Sequence, residues 1–183
     1  VLSNNHHFFV KTNSLISNHY FPLIKEVPQV LTLNVAVILA EPNDVSHKSS
    51  KITAQPCKLK PKKTYPQGRN KEYYQDLTDC VADYHKENSF DRINLKFTIY
   101  DNNGEWFKTD KSEKDYYLMS KREKGKGEQE FVKDVIGLVE KEGVNLSDQD
   151  IVIVVHSGTS YQKTKNQKKF HTCTWTPDGH PLG

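Results

Sequence analysis

The chain has 183 residues, of which 35% are hydrophobic and 27% are charged, and its mean hydropathy is −0.76. This length suits one domain with a buried core, and the composition excludes a disordered chain. The net charge of +3 is small, and the lysine-rich runs carry no interleaved aromatic motif, so we expect no nucleic-acid partner. No apolar run reaches the roughly 18 residues that span a bilayer, so we also expect no membrane span.

The amino-terminal region predicts an arm followed by a domain. Residues 1–29 show no sustained hydrophobic period and predict an extended arm, whereas residues 30–183 predict a single α/β domain. An arm can pair with a sheet edge, so residues 1–28 are a candidate for self-assembly. The run VLTLNVAVILA, from Val30 to Ala40, predicts a strand buried on both faces. Residues 41–70 carry four prolines and predict a long surface connection with little regular structure.

The middle of the chain alternates predicted helices and strands. Lys71 to Glu87 predicts an amphipathic helix, and Arg92 to Tyr100 predicts a half-exposed strand. An Asn-Asn-Gly turn follows, so residues 105–108 predict a short hairpin partner for that strand. Residues 111–127 predict a charged loop, and Glu128 to Glu142 predicts a second amphipathic helix. The apolar face of the first helix is predicted to include Tyr73 or Tyr74, Leu77, Cys80 or Val81, and Tyr84.

A last strand begins at Asp150, in the stretch DIVIVVHSGTS. Its β-branched residues predict a buried, central position in the sheet. The alternation predicts Val152 and Val154 on one face of the sheet and Ile151, Ile153 and Val155 on the other. The order strand, helix, strand, helix, strand predicts an α/β fold with a mixed, largely buried sheet and two main amphipathic helices.

The polar tip of that last strand comprises the candidate cleft or strand-end residues His156, Ser157, Gly158, Thr159 and Ser160. Open α/β sheets bind ligands beyond the carboxyl ends of their strands, and a Ser beside a His suggests a nucleophile and its base. However, adjacent side chains of an extended strand point to opposite faces, and the Gly-x-Ser-x-Gly elbow is absent. We therefore favour a hydrogen-bonded His and a glycine turn, with a hydrolase or ligand-binding tip as the alternative.

No metal or catalytic constellation emerges from residue spacing. Asp79, Asp83 and Glu87 share one helical face, which is typical of solvated carboxylates. A zincin helix needs His-Glu-x-x-His, and none of the eight His residues begins that pattern. His85 and His171 also lack a partner at ligand spacing. The residues alone thus predict no catalytic residue and no metal ligand.

The cysteines and one sequon bear on the cellular compartment. Cys80 lies among the apolar positions of the first helix, so we expect it to be buried, either as a small hydrophobe or in a disulfide with Cys57 or Cys173. The three cysteines are too few for a scaffold built on disulfides. Asn145 begins the one Asn-x-Ser/Thr sequon, which favours an exported protein.

Three segments carry a family resemblance. They are NVAVILAEPNDVSHKSSK (Asn34 to Lys51), VADYHKENSFDRINLKFTIYDNNGEWFKTDKSEKDYY (Val81 to Tyr117) and DIVIVVHSG (Asp150 to Gly158). In order and spacing they resemble the amino-terminal half of the catalytic region of immune inhibitor A-like secreted zinc metallopeptidases. The chain departs from that pattern where Pro42 replaces an aromatic residue, where Phe90-Asp91-Arg92 replaces Tyr-Gly-Lys, and where Ser157 replaces Ala.

The resemblance implies the fold of the amino-terminal half of a zincin, an extracellular location and a protein or peptide partner. It also implies zinc, but the family's His-Glu-x-x-His lies beyond the strand that ends in His-x-Gly and is not among these residues. No zinc ligand or general base is carried over, and we expect the 183-residue chain to be inactive. His156 matches a residue typical of the family and is expected to be a structural His at the cleft floor. The alternative is a non-catalytic binding or assembly module, such as a subunit of an extracellular oligomer or filament.

Overall fold

The structure is a computed structural model that describes residues 10–12, 29–47 and 52–157. Gly158, Thr159, Ser160 and Cys173 lie outside the described residues, as does His171. The strands are β1 (Val10–Thr12), β2 (Leu31–Glu41), β3 (Ile52–Ala54), β4 (Lys63–Tyr65), β5 (Ile93–Tyr100), β6 (Phe107–Lys108) and β7 (Ile151–His156), and the helices are α1 (Lys71–Asn88), α2 (Glu113–Arg122) and α3 (Lys126–Lys141).

The main sheet has the strand order β1-β7-β2-β5. Strands β7 and β5 run parallel to β2 on its two sides, and β1 pairs antiparallel with the outer edge of β7. Strand β6 runs parallel to β2 beyond the end of β5, so β5 and β6 lie along the same side of β2. The fold is therefore mixed α/β with a partly parallel sheet, and the predicted α/β class with a mixed sheet is confirmed.

The first of the parallel strands, β2, lies in the middle of the sheet, and later strands are added on both of its sides. From β2 it passes through α1 to β5, and from there through α2 and α3 back across to β7. The two crossovers lie on opposite faces, because α1 packs on one core cluster and the other two helices pack on the second. The point between β2 and β7, where the strand order reverses, is where sheets of this type leave a crevice at the carboxyl ends of their strands.

Alternation along the strands divides the core between the two faces. Val152 and Val154 belong to the cluster under α2 and α3, and Ile151, Ile153 and Val155 belong to the cluster under α1. The predicted division of this strand is thus confirmed. In the same way β2 contributes alternate residues to each cluster and is fully buried from position 35 onward.

Helices α1 and α3 have the predicted extents to within two residues. Asn70 caps α1 through its side chain, which accepts a hydrogen bond from the Tyr73 amide. Gly143 follows α3 with φ of 80°, the left-handed conformation that a helix end favours. One predicted core position is wrong, because Tyr84 is 59% exposed near the carboxyl end of α1.

Residues 41–70 hold more structure than predicted. The short strands β3 and β4 pair with each other there, and Cys57 forms a disulfide with Cys80 of α1. Cys80 is 5% exposed, so the predicted burial and the disulfide alternative with Cys57 are both confirmed. The proline and lysine content of this segment favours a loop, and no long apolar run marks its strands. The disulfide to α1 holds the segment in place instead.

Tyr65 anchors the same segment over α1. It is fully buried, and its hydroxyl donates a hydrogen bond to the Asp76 carboxylate at 2.9 Å. Burial, together with that hydrogen bond, raises the pKa of Tyr65 to about 12. Lys63 also pairs with Asp76, at 3.0 Å, so the residues around β4 are tied to α1 by polar as well as covalent contacts.

Two further predictions are wrong in the middle of the chain. Residues 107–108 do not return along β5 as a hairpin partner but pair with β2, after a turn closed by an Asn102–Glu105 bridge. Residues 111–127 are not a loop, since they contain α2, so the described ranges hold three helices where two were predicted. Ser112 and Asp115 form a capping box at the start of α2.

Candidate functional site at the carboxyl ends of the parallel strands

The polar residues of interest lie where β2 and β7 end side by side. Ala40 of β2 pairs with His156 of β7, and the Ser157 amide donates to the Ala40 carbonyl at 3.1 Å. Glu41 ends β2 at the same level. This edge is the crevice position expected from the reversal of strand order.

His156 and Ser157 are held by backbone contacts at this edge. Their exposed fractions are 3% and 6%. His156 Nδ1 lies 2.7 Å from the Ser157 carbonyl oxygen, which only accepts, so this nitrogen carries a hydrogen. The Ser157 hydroxyl donates to the Val45 carbonyl at 2.9 Å, and the ring of His156 meets Phe131 edge to face.

These bonds bear on whether the pair performs chemistry. The Ser157 proton is directed at a backbone carbonyl, and the hydrogen on His156 Nδ1 is directed at the Ser157 backbone. A nucleophile and base need a hydrogen bond between the serine hydroxyl and the imidazole. The arrangement fits a strand end fixed by hydrogen bonds rather than a catalytic pair.

A second cluster at the same edge comprises Glu41, His47, Glu105 and Trp106, and we call it the Glu41–His47 cluster. The backbone amide and Nδ1 of His47 both lie within hydrogen-bond distance of the same Glu41 carboxylate oxygen, at 2.8 and 2.7 Å. The imidazole stacks on Trp106, with ring centroids 4.9 Å apart and planes 6° from parallel. The side chains of His47 and Glu41 are 6% and 8% exposed.

The loop that carries His47 is fastened to the segment before α2. The Asn43 amide donates to the Lys111 carbonyl at 3.1 Å, and Asp44 accepts a hydrogen bond from the Glu113 amide at 2.7 Å. The Val45 carbonyl accepts from Ser157 in turn. Residues 42–47 therefore lie over the carboxyl ends of both β2 and β7, and their position depends on contacts with three separate parts of the chain.

Sequence reasoning did not assign a role to Glu41, Asp44 or His47. The available signal was three polar side chains at three-residue spacing directly after a buried strand, with a tryptophan much later in the chain. The α1 carboxylates considered as a candidate cation site do not lie at this edge. Asp79 pairs with Lys60 at 3.6 Å, and Asp83 and Glu87 are exposed on α1, as predicted for solvated carboxylates.

Comparisons of the chain with family models, with curated proteins and with solved structures give no match in any of the three. Across the described ranges, no helix combines the length and the apolar character needed to cross a membrane. In the same ranges, no three or more His, Cys, Asp and Glu side chains form a group that surrounds an ion position. The described residues therefore do not fit a catalytic zinc, which takes three protein ligands.

Proposed function

We propose that this chain forms the amino-terminal part of a metallopeptidase-like domain of a secreted zinc-dependent protease. The observation that supports the proposal is the convergence of three separate segments of the family resemblance. His47 from the first segment stacks on Trp106 from the second, and Val45 from the first accepts a hydrogen bond from Ser157 of the third. Open α/β sheets bind ligands beyond the carboxyl ends of their strands, so the place where the three segments meet suits the wall of a cleft.

In this proposal the described residues build the floor and wall of a cleft and perform no bond-making step. Glu41 and His47 fix the loop at residues 42–47, and His156 and Ser157 fix the end of β7. Zinc in such a protease activates the water that attacks the peptide carbonyl. Its ligands and the general base would belong to a His-Glu-x-x-His segment, which is not among the 183 residues.

Two features support the extracellular part of the proposal. Disulfides persist mainly in oxidising compartments, and Cys57 is bonded to Cys80. The sequon residue Asn145 is exposed in the connection between α3 and β7, where a glycan would meet solvent. Treatment of protein from a secretory host with an amidase that removes Asn-linked glycans tests the location. The expected result is a mobility shift that Asn145→Gln abolishes.

The enzymatic part is tested by comparing two proteins. The 183-residue chain should not cleave casein, whereas a chain extended along its coding sequence into a His-Glu-x-x-His segment should cleave it. Changing the Glu of that segment to Gln should remove activity and leave zinc content unchanged. A coding sequence that ends at Gly183, or an extended chain with no such segment, would refute the proposal.

The second candidate is an assembly module, and β1 favours it. Residues of the arm already add to the sheet, because Val10–Thr12 pairs antiparallel with the edge of β7. Such an arm can add to the sheet of a second copy by the same contacts. Light scattering on the chain with and without residues 1–28 separates the candidates. An oligomer that requires the arm supports assembly, and a monomer in both cases counts against it.

A further inference from the structure

Strand β5 leaves one edge of the main sheet without a pairing strand among the described residues. It ends the strand order β1-β7-β2-β5, and β2 pairs with its inner side over all eight residues from Ile93 to Tyr100. Its sequence, INLKFTIY, contains no proline, which would remove a donor, and no glycine, which would weaken an extended strand. The outer edge of β5 can therefore accept a further strand through main-chain hydrogen bonds.

The two faces of β5 differ in polarity. Ile99 belongs to the buried cluster under α1, and Leu95 and Phe97 pack against that cluster while remaining partly exposed. On the opposite face Lys96 and Thr98 are exposed and take no part in the core under α2 and α3. Side chains of neighbouring strands interact on each face of a sheet. A strand added at this edge would thus meet apolar neighbours on one face and polar neighbours on the other.

The exposed face of β5 is also basic. Arg92 precedes the strand with the same alternation as Lys96, and its carbonyl accepts a hydrogen bond from the Leu31 amide at 2.8 Å, so it continues the ladder. Both basic side chains are exposed, and within the described ranges neither forms an ion pair. The β2 residue opposite Lys96 is the uncharged Asn34. Acidic side chains on an added strand would complement these two cations.

We propose that the outer edge of β5 binds an extended peptide segment of a partner protein in which acidic and apolar side chains alternate. Main-chain hydrogen bonds would hold the segment beside β5, its acidic side chains would face Arg92 and Lys96, and its apolar side chains would continue the face of Leu95 and Phe97. A second copy of this chain does not suit the edge. Antiparallel pairing of two β5 strands about their middle would bring two Lys96 side chains together, and like charges across strands are destabilising.

The turn that leads into β5 supplies an exposed aromatic side chain beside this edge. Phe90 is 84% exposed and has a φ of 53°, in a turn where the Arg92 amide donates to the Ser89 carbonyl at 3.2 Å. A bulky residue in the left-handed region is uncommon, and core packing does not hold this one. Phe90 is thus available to cover one end of a bound segment. The surface is the side of the sheet and not its carboxyl ends, so the proposal does not depend on the proposed protease function.

The test uses the whole 183-residue chain and, as the probe, a fluorescein-labelled eight-residue peptide of alternating Glu and Val. Fluorescence polarisation gives the dissociation constant, and amide hydrogen exchange identifies the backbone that the peptide protects. We expect slower exchange within residues 93–100. Lys96→Glu should weaken binding about tenfold, because an attractive pair becomes a repulsive one. Phe90→Ala should weaken it about threefold through lost apolar contact. Both side chains are exposed, so both variants keep the fold intact.

Matched controls separate this edge from general attraction to a basic protein. Lys114→Glu makes the same charge change at an exposed position of α2 and should leave binding unchanged. A peptide of alternating Lys and Val should not bind, nor should the acidic peptide with Pro in place of its two central Val residues. The proposal is overturned if Lys96→Glu binds the acidic peptide as tightly as the parent chain, or if exchange within residues 93–100 does not slow. Dimerisation of the chain through β5 would also overturn it, because a second copy would then occupy the edge.

Discussion

A substitution at Gly127 probes a close contact between helices α2 and α3. A Cβ atom added at Gly127 would lie 1.8 Å from the carbonyl oxygen of Tyr116 and 2.6 Å from the Ser120 hydroxyl oxygen. Ordinary carbon–oxygen contacts are about 3.3 Å or longer, so the two helices would have to separate by about 1.5 Å. Tyr116 is fully buried and its carbonyl is backbone, so no flexible side chain can move aside.

The cost of Gly127→Ala follows from three terms. Overpacking costs about 1–3 kcal/mol, and a backbone clash belongs at the upper end of that range. The hydrogen bond from the Gly127 amide to the Ser120 hydroxyl, 2.9 Å long, would be lost for about 1 kcal/mol more. Better helix propensity returns about 1 kcal/mol. The net loss is about 3 kcal/mol, which lowers Tm by about 6–12 °C in a chain of this size.

Gly137 in the same helix is the matched control. A Cβ added there meets nothing within 4 Å, so Gly137→Ala should gain only helix propensity, about 1 kcal/mol. Urea denaturation followed by circular dichroism gives both free energies of unfolding. The reasoning fails if Gly127→Ala unfolds within 1 kcal/mol of the parent chain, or if Gly137→Ala is destabilised by as much as Gly127→Ala.

Four other changes test the fold by the same denaturation assay. Ile153→Ala should lower the free energy of unfolding by about 2 kcal/mol by leaving a cavity. This is near the lower limit for such substitutions, because the side chain is only partly buried, and an unchanged stability would contradict its place in the core. Ser157→Ala should cost about 1–2 kcal/mol, since the Val45 carbonyl loses its donor; a loss of activity without loss of stability would instead indicate a nucleophile. Replacing Cys57 and Cys80 with serines should lower the free energy of unfolding by about 3 kcal/mol, because the unfolded chain is no longer constrained by the loop that the disulfide closes. An unchanged stability would argue against the bond. Asp91→Gly should stabilise by about 0.5–1 kcal/mol, because Asp91 has a φ of 60°; a loss would show that its side chain compensates for that conformation.

The elements that were predictable are those whose own apolar residues show which face is buried. Strand β2 and helices α1 and α3 were recognised because long apolar runs or three- and four-residue spacings fix which face meets the core. The two faces of β7 followed from alternation alone. These elements carry most of the core, so the α/β class was predictable without a structure.

The elements that were missed depend on partners far away in the chain. Helix α2 is short and half of its residues are charged. Its buried aromatic residue, Tyr116, packs in a core cluster with α3 and the sheet, which are distant in the sequence. Its capping box, Ser112 and Asp115, was the local signal that marked a helix start. Strand β6 has two residues, and its pairing with β2 rather than β5 follows from the sheet register, which no local pattern encodes.

The Glu41–His47 cluster shows the same limit at the candidate site. Its residues come from the end of β2, the following loop and the turn after β5, and they meet only because Ala40 pairs with Phe107. That register places Trp106 where His47 can stack on it, and Glu105 within 3.9 Å of its second nitrogen. A shift of β6 by one residue would exchange the faces to which its side chains point and separate Trp106 from the imidazole. The chemistry at this edge thus depends on one parallel pairing between segments more than 60 residues apart, which spacing along the sequence does not reveal.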